Sequence, residues 1–297
     1  MTSITLLENL RAVFYAPFYL AHARGLFADE GVDVALEESA SPLDTAARAI
    51  AGDVDVCWGG PLRVLKSYDE DPDVDLVCFG EVIGRDPFFL VGRPPAGPFS
   101  LGQLRGLRIG VVNEVPTPWI CLQQDLIDAG IDPGSLEVVA NRGMADNLAA
   151  ALAGELDVFQ AFQPYVEQAV QAGLEVLVAS ADRGPTAYTS FYTRRDKLPT
   201  RREAFRAMTR AMARSVAAVY TDDPMYTART LEPYFPDHDV KLIAACIDRY
   251  RDRQIYNRTG ELPRAGFERL RQSMLSTGFI RTGASYETCV DNTLMGP

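Results

Sequence analysis

The chain has 297 residues, 47% of them hydrophobic, and a formal net charge of −11. That is enough apolar material for two compact α/β lobes or one large domain, and it excludes a disordered chain. The acidic balance argues against nucleic acid or an anionic membrane surface as partner, since both need a basic face.

Strand-like and helix-like runs alternate through the first two-thirds of the chain, which predicts parallel sheets covered by helices. Ile4–Leu7 reads as the first strand, and Pro17 opens a helix that stops at Gly25. A strand over Val32–Glu37, a helix over Pro42–Ala51 ended by Gly52, and a buried strand over Val54–Trp58 come next. Gly59-Gly60-Pro61 then leads into another helix, and Val74–Phe79 is a further strand. The pattern restarts with a strand over Pro87–Gly92, and Pro94 to Pro98 form a loop that cannot be helical. Strands over Leu107–Val112, Leu136–Ala140, Asp157–Phe162 and Val176–Ala179 alternate with helices over Pro118–Ala129, Met144–Ala153 and Tyr165–Ala172. Thr189–Thr193 reads as one more strand. Beyond Thr200 the spacing is helical: Arg201–Tyr220, Pro224–Tyr234, Asp239–Tyr250 and Arg264–Ser276. The expected division is a first lobe of residues 1–84 plus 195–297, braced by these C-terminal helices, and a second lobe of residues 85–194. The crossovers are placed near Val82–Asp86 and Arg183–Tyr188.

The reactive residue types are sparse. The five cysteines are widely spaced with no CxxC, and Cys57 and Cys78 read as small buried hydrophobes; no disulfide framework or zinc site is expected. His22 and His238 are too few for a His-rich centre, and His22 reads as a surface or satisfied histidine. Lysine occurs only at Lys66, Lys197 and Lys241, which narrows the scope for Schiff-base chemistry. No metal, cofactor or catalytic residue is therefore expected. No apolar run approaches the ~20 residues of a membrane-spanning helix. Met1–Leu7 lacks the charged and apolar regions of a signal peptide. Two locations stay open: periplasmic or extracytoplasmic if a signal has been trimmed, cytoplasmic if none existed.

In open α/β sheets ligands sit beyond the carboxyl ends of strands, where loops and helix starts converge. Four such places occur here: Asn9 to Pro17, Gly59-Gly60-Pro61, Asn113 to Trp119, and Asn141-Arg142-Gly143. Thr117 is placed there as the N-cap of the helix that follows. Tyr15, Trp58, Trp119, Phe162, Tyr165 and Tyr188 lie at or near these strand ends. Tyr15 and Trp119 fall in loop-to-helix junctions and could stack on a planar ligand, whereas Trp58 and Phe162 read as core packing. Glu81 and Glu114 would suit an amine or nitrogen heterocycle, and Arg85 and Arg142 a sulfonate, carboxylate or phosphate. Arg85 could equally pair with Asp86.

Asn9–Leu36 (NLRAVFYAPFYLAHARGLFADEGVDVAL) resembles the opening of the sulfonate, nitrate and thiamine-pyrimidine branch of the periplasmic solute-binding proteins. Ala16-Pro17 at a helix start and Gly25-Leu26-Phe27 at a turn match that pattern. Leu104–Val111 (LRGLRIGV) resembles the strand opening its second lobe, and Ala151–Ala169 (ALAGELDVFQAFQPYVEQA) its later strand and aromatic-proline loop. The resemblance covers residues 4–191. It implies a type II, two-lobed, hinged fold with a helical C-terminal third, and ligand contacts from Asn9, Tyr15, Gly59, Gly60, Glu81, Thr117 to Trp119, Arg142, and Gln163 to Tyr165. Asn113 and Tyr188 complete the expected ligand-binding set from the strand-end reading.

The expected function is that of a solute-binding protein closing on a small metabolite (heterocyclic, aromatic or a small organic anion) for an ATP-driven importer. Its expected partners are that small molecule and a membrane component of the importer. The alternative is an enzyme on the same scaffold: a decarboxylase, lyase or thiamine-pyrimidine-type synthase, with Glu81 or Glu114 as acid or base. Fungal pyrimidine synthases of similar fold use a Cys-rich segment, a His iron ligand and a pyridoxal-phosphate lysine. Here no lysine precedes Lys66 and no cysteines cluster.

Overall fold

The computed structural model describes residues 1–94 and 97–295, so Pro95 and Ala96 of the proline-rich loop lie outside it. One five-stranded sheet is built from β1 (Thr2–Glu8), β2 (Val32–Glu38), β3 (Val56–Gly59), β4 (Leu76–Ile83) and β10 (Thr189–Arg194), in the order β2-β1-β3-β10-β4. The other is built from β5 (Phe89–Gly92), β6 (Arg108–Gly110), β7 (Glu137–Val139), β8 (Val158–Ala161) and β9 (Glu175–Ala179), in the order β7-β6-β8-β5-β9. Helices α1 (Ala16–Ala23), α2 (Leu26–Asp29), α3 (Pro42–Ala51) and α4 (Pro61–Glu70) belong to the first lobe. The second lobe has α5 (Thr117–Asp128), α6 (Met144–Ala153) and α7 (Tyr165–Gln171). The C-terminal helices are α8 (Leu198–Thr221), α9 (Pro224–Leu231), α10 (Val240–Asp252), α11 (Arg264–Ser276) and α12 (Tyr286–Cys289).

Local sequence explains these boundaries. Ser41 Oγ accepts from Asp44 N at 3.2 Å to cap α3, Pro42 occupies its first turn, and Gly52 ends it at φ +83°. Every residue of β3, β4, β5 and β8 is buried, as strands covered by helices on both faces require.

The sheets are mixed, not parallel as the alternating pattern predicts. β10 runs antiparallel to β3 and β4, and β5 runs antiparallel to β8 and β9. The cause is the crossing itself. β4 ends at the edge facing the other lobe, so residues 84–88 deliver β5 into its sheet from the carboxyl-terminal edge, and it must run backwards. Residues 180–188 do the same for β10 on return. The expected second lobe, residues 85–194, is corrected by the same observation, because Thr189–Arg194 is an inner strand of the first sheet. The carboxyl-terminal edges of the two sheets therefore face each other across a seam.

The two crossing segments are tied together. Thr186 N donates to Gly84 O at 3.0 Å, Gly84 N to Ile255 O at 2.9 Å, and Asn257 N to Val82 O at 2.8 Å. Arg183 donates to Asp86 Oδ2 at 2.7 Å and to Asp125 Oδ1 of α5 at 2.8 Å. Asp86, the alternative partner offered for Arg85, is held by Arg183, because the two crossings lie side by side.

Candidate functional site

The seam-facing edge of the first sheet gathers residues from three strands. β1 ends into Asn9, β3 ends at Gly59 with Gly60 after it, and β10 begins at Thr189 with Tyr188 just before. Asn9 Nδ2 donates to Tyr15 Oη at 3.4 Å. A side-chain carbon on Gly59 would lie 3.1 Å from Tyr192 Cε1 and 3.4 Å from Asn9 Oδ1. One on Gly60 would lie 3.1 Å from Tyr188 O. Glycine therefore lets these segments approach closely, since a Cβ at either position would have to push its neighbour back by a few tenths of an ångström.

Asn9, Tyr15, Tyr188, Thr189 and Tyr192 are all buried, none more than 6% exposed. Yet Asn9 Oδ1, Tyr188 Oη, Thr189 Oγ1 and Tyr192 Oη make no hydrogen bond of full geometry among the described residues, with Thr189 turned toward the Tyr15 hydroxyl and Tyr192 toward the Cys57 thiol. Buried polar groups are ordinarily paired, each unpaired one costing about 1–3 kcal/mol. Four such atoms at one strand-end edge make a polar cradle.

The opposite lobe roofs this edge with aromatic rings. Phe14 meets Phe162 edge-on with centroids 5.3 Å apart, and Phe88 lies 5.2 Å from Phe162 and 6.1 Å from Tyr188. Gln163 N donates to Tyr250 Oη at 2.9 Å, and Arg249 pairs with Glu167. A cavity of about 160 Å³ runs along the seam between Val13, Phe162, Tyr165 and Phe235.

Burial dominates the electrostatics. It pushes the Tyr15 hydroxyl up to about 12 and the Cys57 thiol to about 12, so both stay protonated at neutral pH. Glu8 is raised by burial despite bonds from Arg11 and Tyr19. Arg63, partly exposed in the first turn of α4, is lowered by burial against the charges of Tyr192, Tyr15 and Glu70. The cradle thus offers hydroxyls and an amide.

The NMT1/THI5-like family model matches residues 14–224. The chain belongs to the NMT1/THI5-like family. Among curated proteins it is similar to the putative binding protein YtlA of Bacillus subtilis, 22% identical over 99% of this chain and 89% of that one. A shorter match, 30% identical over 37% of this chain and 32% of the relative, is to 4-amino-5-hydroxymethyl-2-methylpyrimidine phosphate synthase of Schizosaccharomyces pombe. Among solved structures, the periplasmic aliphatic sulphonate binding protein SsuA of Escherichia coli superposes with a TM-score of 0.78 at 13% identity, covering 97% of this chain and 96% of that one. That likeness establishes a two-lobed fold of the periplasmic binding protein kind.

In this member of the NMT1/THI5-like family, the expected ligand-binding residues divide into groups. Asn9, Tyr15, Gly59, Gly60 and Tyr188 come together in the cradle, while Tyr165 lies on the roof side, 6.2 Å from Phe162. Asn113 is exposed, and its neighbour Glu114 accepts from Met144 N at 2.8 Å, closing the start of α6. Arg142 pairs with Glu155 at 3.1 Å on the second lobe's surface. Trp119 packs against the second lobe's own cluster around Leu104, Ile109 and Leu126. Thr117 is the first residue of α5 with Pro116 at the cap position, so its expected capping bond is not made. Gln163 is buried with both side-chain ends engaged: Oε1 accepts from Glu167 N at 2.9 Å and Nε2 donates to Glu167 Oε1 at 3.1 Å.

Glu81 sits apart from the cradle. It accepts from Asn257 Nδ2 at 2.6 Å and lines, with Arg85 and Tyr256, a cavity of about 300 Å³ beside the crossings. Strand β4 is the outermost of its sheet and Glu81 pairs in register with Ser190 of β10, while its carboxylate is turned to Asn257 at the crossings. Burial raises its carboxyl well above the usual range. His22 Nδ1 lies 2.8 Å from Tyr234 Oη. Cys57, Cys78, Cys121, Cys246 and Cys289 are all buried, and Trp58 stacks on Phe18 at 4.4 Å within the core.

Sequence reasoning missed Thr189 and Tyr192, which were hidden because their strand was assigned to the wrong lobe.

Proposed function

We propose that this chain is a solute-binding protein whose two lobes close on a small organic molecule and that it delivers this molecule to an ATP-driven importer in a membrane. The observation that carries the reading is the cradle of four buried polar atoms lacking a hydrogen bond of full geometry at the carboxyl-terminal edge of the first sheet, roofed by rings from the other lobe. A ligand bridging those surfaces favours the closed arrangement by its extra contacts there. Membership of the NMT1/THI5-like family supports it, as do the names of the similar proteins YtlA and SsuA.

Native mass spectrometry of the purified chain tests it. One small molecule per chain is expected, released with unchanged mass after prolonged incubation and retained less by an Asn9→Ala variant that melts normally. A bound molecule that changes mass on the protein, or retention indifferent to Asn9, overturns the reading.

A further inference from the structure

We propose that the cavity beside the two crossings is a second ligand site, which takes a small dianion between Arg85 and Arg258 and so ties the hinge. The ligand class is a phosphate or a dicarboxylate, since both present oxyanion groups to arginine. The site goes beyond the solute-binding reading: none of the cradle residues Asn9, Tyr15, Tyr188, Thr189 and Tyr192 lines this cavity.

At about 300 Å³ the cavity is large enough for a small metabolite. Gly84 and Arg85 reach it from the first crossing, Pro185 from the second, Tyr220 from α8, and residues 254–259 from the loop after α10. Main-chain bonds fix this framework: Gly84 N donates to Ile255 O at 2.9 Å, and Glu81 N to Gly260 O at 2.7 Å. Lobes that open and close turn about the two crossings, so a molecule bridging Arg85 to the 254–259 loop bears on that motion.

Two guanidiniums converge there. Arg258 lies over the Tyr220 ring with Cζ 3.7 Å from its centroid, and Tyr220 Oη is anchored by donating to Tyr256 O at 3.0 Å. The charges of Arg258 and Arg85 both act on the Tyr220 hydroxyl, which places them about one side chain. Neither has a carboxylate partner among the described residues. Their neighbours in sequence are engaged: Arg249 pairs with Glu167, Arg253 with Asp182 at 3.5 Å, and Arg251 donates to Asp222 O and Tyr220 O. Like charges gathered without an anion repel, and a dianion between them turns repulsion into attraction.

The carboxyls of the lining do not fill that role. Glu81 is 2% exposed, accepts from Asn257 Nδ2, and is pushed by burial toward its protonated form. Its Oε1 has no hydrogen-bond partner among the described residues, and a protonated carboxyl can donate to an oxyanion. Glu261 is exposed, so water and salt screen its charge. The cavity therefore keeps a positive surplus in a chain whose net charge is −11.

The test is calorimetric titration of the purified full chain with inorganic phosphate and with succinate, at pH 8 and constant ionic strength, with acetate as the singly charged control. At least one dianion is expected to bind, one per chain, with acetate at least about tenfold weaker; whichever binds names the group. Arg85→Gln and Arg258→Gln should each weaken it at least about tenfold, their melts without the anion staying within a few degrees of wild type, and Arg258→Lys should restore part of the affinity. Asn9→Ala should bind it as wild type does. Binding lost in Asn9→Ala but kept in both arginine variants would put the anion in the cradle and overturn the proposal. Silence from phosphate and succinate, or affinity indifferent to both arginines, would overturn it as well, whatever molecule native mass spectrometry finds at the seam. The guanidiniums converge in this closed arrangement, so the dianion should lower the radius of gyration of the stripped protein and not that of Arg258→Gln. A radius unchanged by the bound dianion would overturn the tie to the hinge.

Discussion

Arg183 offers the sharpest energetic prediction. Its side chain is 7% exposed and bridges Asp86, which is fully buried, to Asp125, which is 27% exposed. In Arg183→Met, Asp125 can turn toward water, but Asp86 keeps only the Phe88 N–H at 2.9 Å. Breaking one side of a buried pair costs about 3–5 kcal/mol. That should lower the urea midpoint by about 1–2 M. Burial already raises the Asp86 carboxyl against the pull of Arg183, and losing the guanidinium raises it further. A carboxyl raised in the folded state costs stability above its unfolded pKa, so the penalty should be largest at pH 7 and shrink as pH falls toward that of unfolded aspartate, about 3.9. Arg183→Met with Asp86→Asn removes the orphaned charge and should recover most of the loss. Urea titrations at pH 5 and pH 7 on wild type, both singles and the double would decide. A cost below about 1 kcal/mol, or a double variant no better than Arg183→Met, would refute the picture of a buried ion pair holding the crossings.

Glu81→Gln should flatten the acid side of the stability profile. Burial raises the Glu81 carboxyl in the folded state, so wild-type stability falls by up to about 1.4 kcal/mol per pH unit as pH rises from the unfolded pKa toward the folded one, and that of the amide does not. Parallel urea midpoints for the two proteins from pH 5 to pH 7 would contradict this. Gly80→Ala should destabilise by about 2–4 kcal/mol, from a left-handed backbone and overpacking. Gly80 has φ +58°, and a Cβ there would lie 2.9 Å from Thr209 Cγ2. A thermal melt unchanged within 1–2 °C would show that the bend relaxes at little cost.

Much of the fold was legible because local signals agreed. Pro42 and Gly52 bound α3 at the expected residues, and the helices Met144–Ala153 and Arg264–Ser276 match their apolar spacing end to end. What the sequence did not disclose is pairing direction. Nothing in Thr189–Arg194 distinguishes an antiparallel inner strand of the first sheet from another strand of the second, because burial on both faces leaves no alternation that marks its direction or its sheet. That one ambiguity hid Thr189 and Tyr192. The strand-end rule located Asn9, Tyr15, Gly59, Gly60 and Tyr188 because carboxyl edges follow from strand order alone. Trp119, read from the same rule, packs into the second lobe's own cluster, and Gln163, read from the family resemblance, bonds Glu167 one turn further on; both outcomes depend on helix rotation that strand order does not fix.

Lobe closure on a ligand can be read from the radius of gyration by small-angle X-ray scattering, on the same preparation before and after its bound small molecule is stripped. Phe14 against Phe162, Gln163 against Tyr250 and Arg249 against Glu167 hold the seam shut in the closed form. The loaded protein is predicted to be the more compact, expanding on stripping and contracting again when the molecule is returned. Identical radii in the loaded and stripped states would contradict a two-lobed protein that works by closing on its ligand.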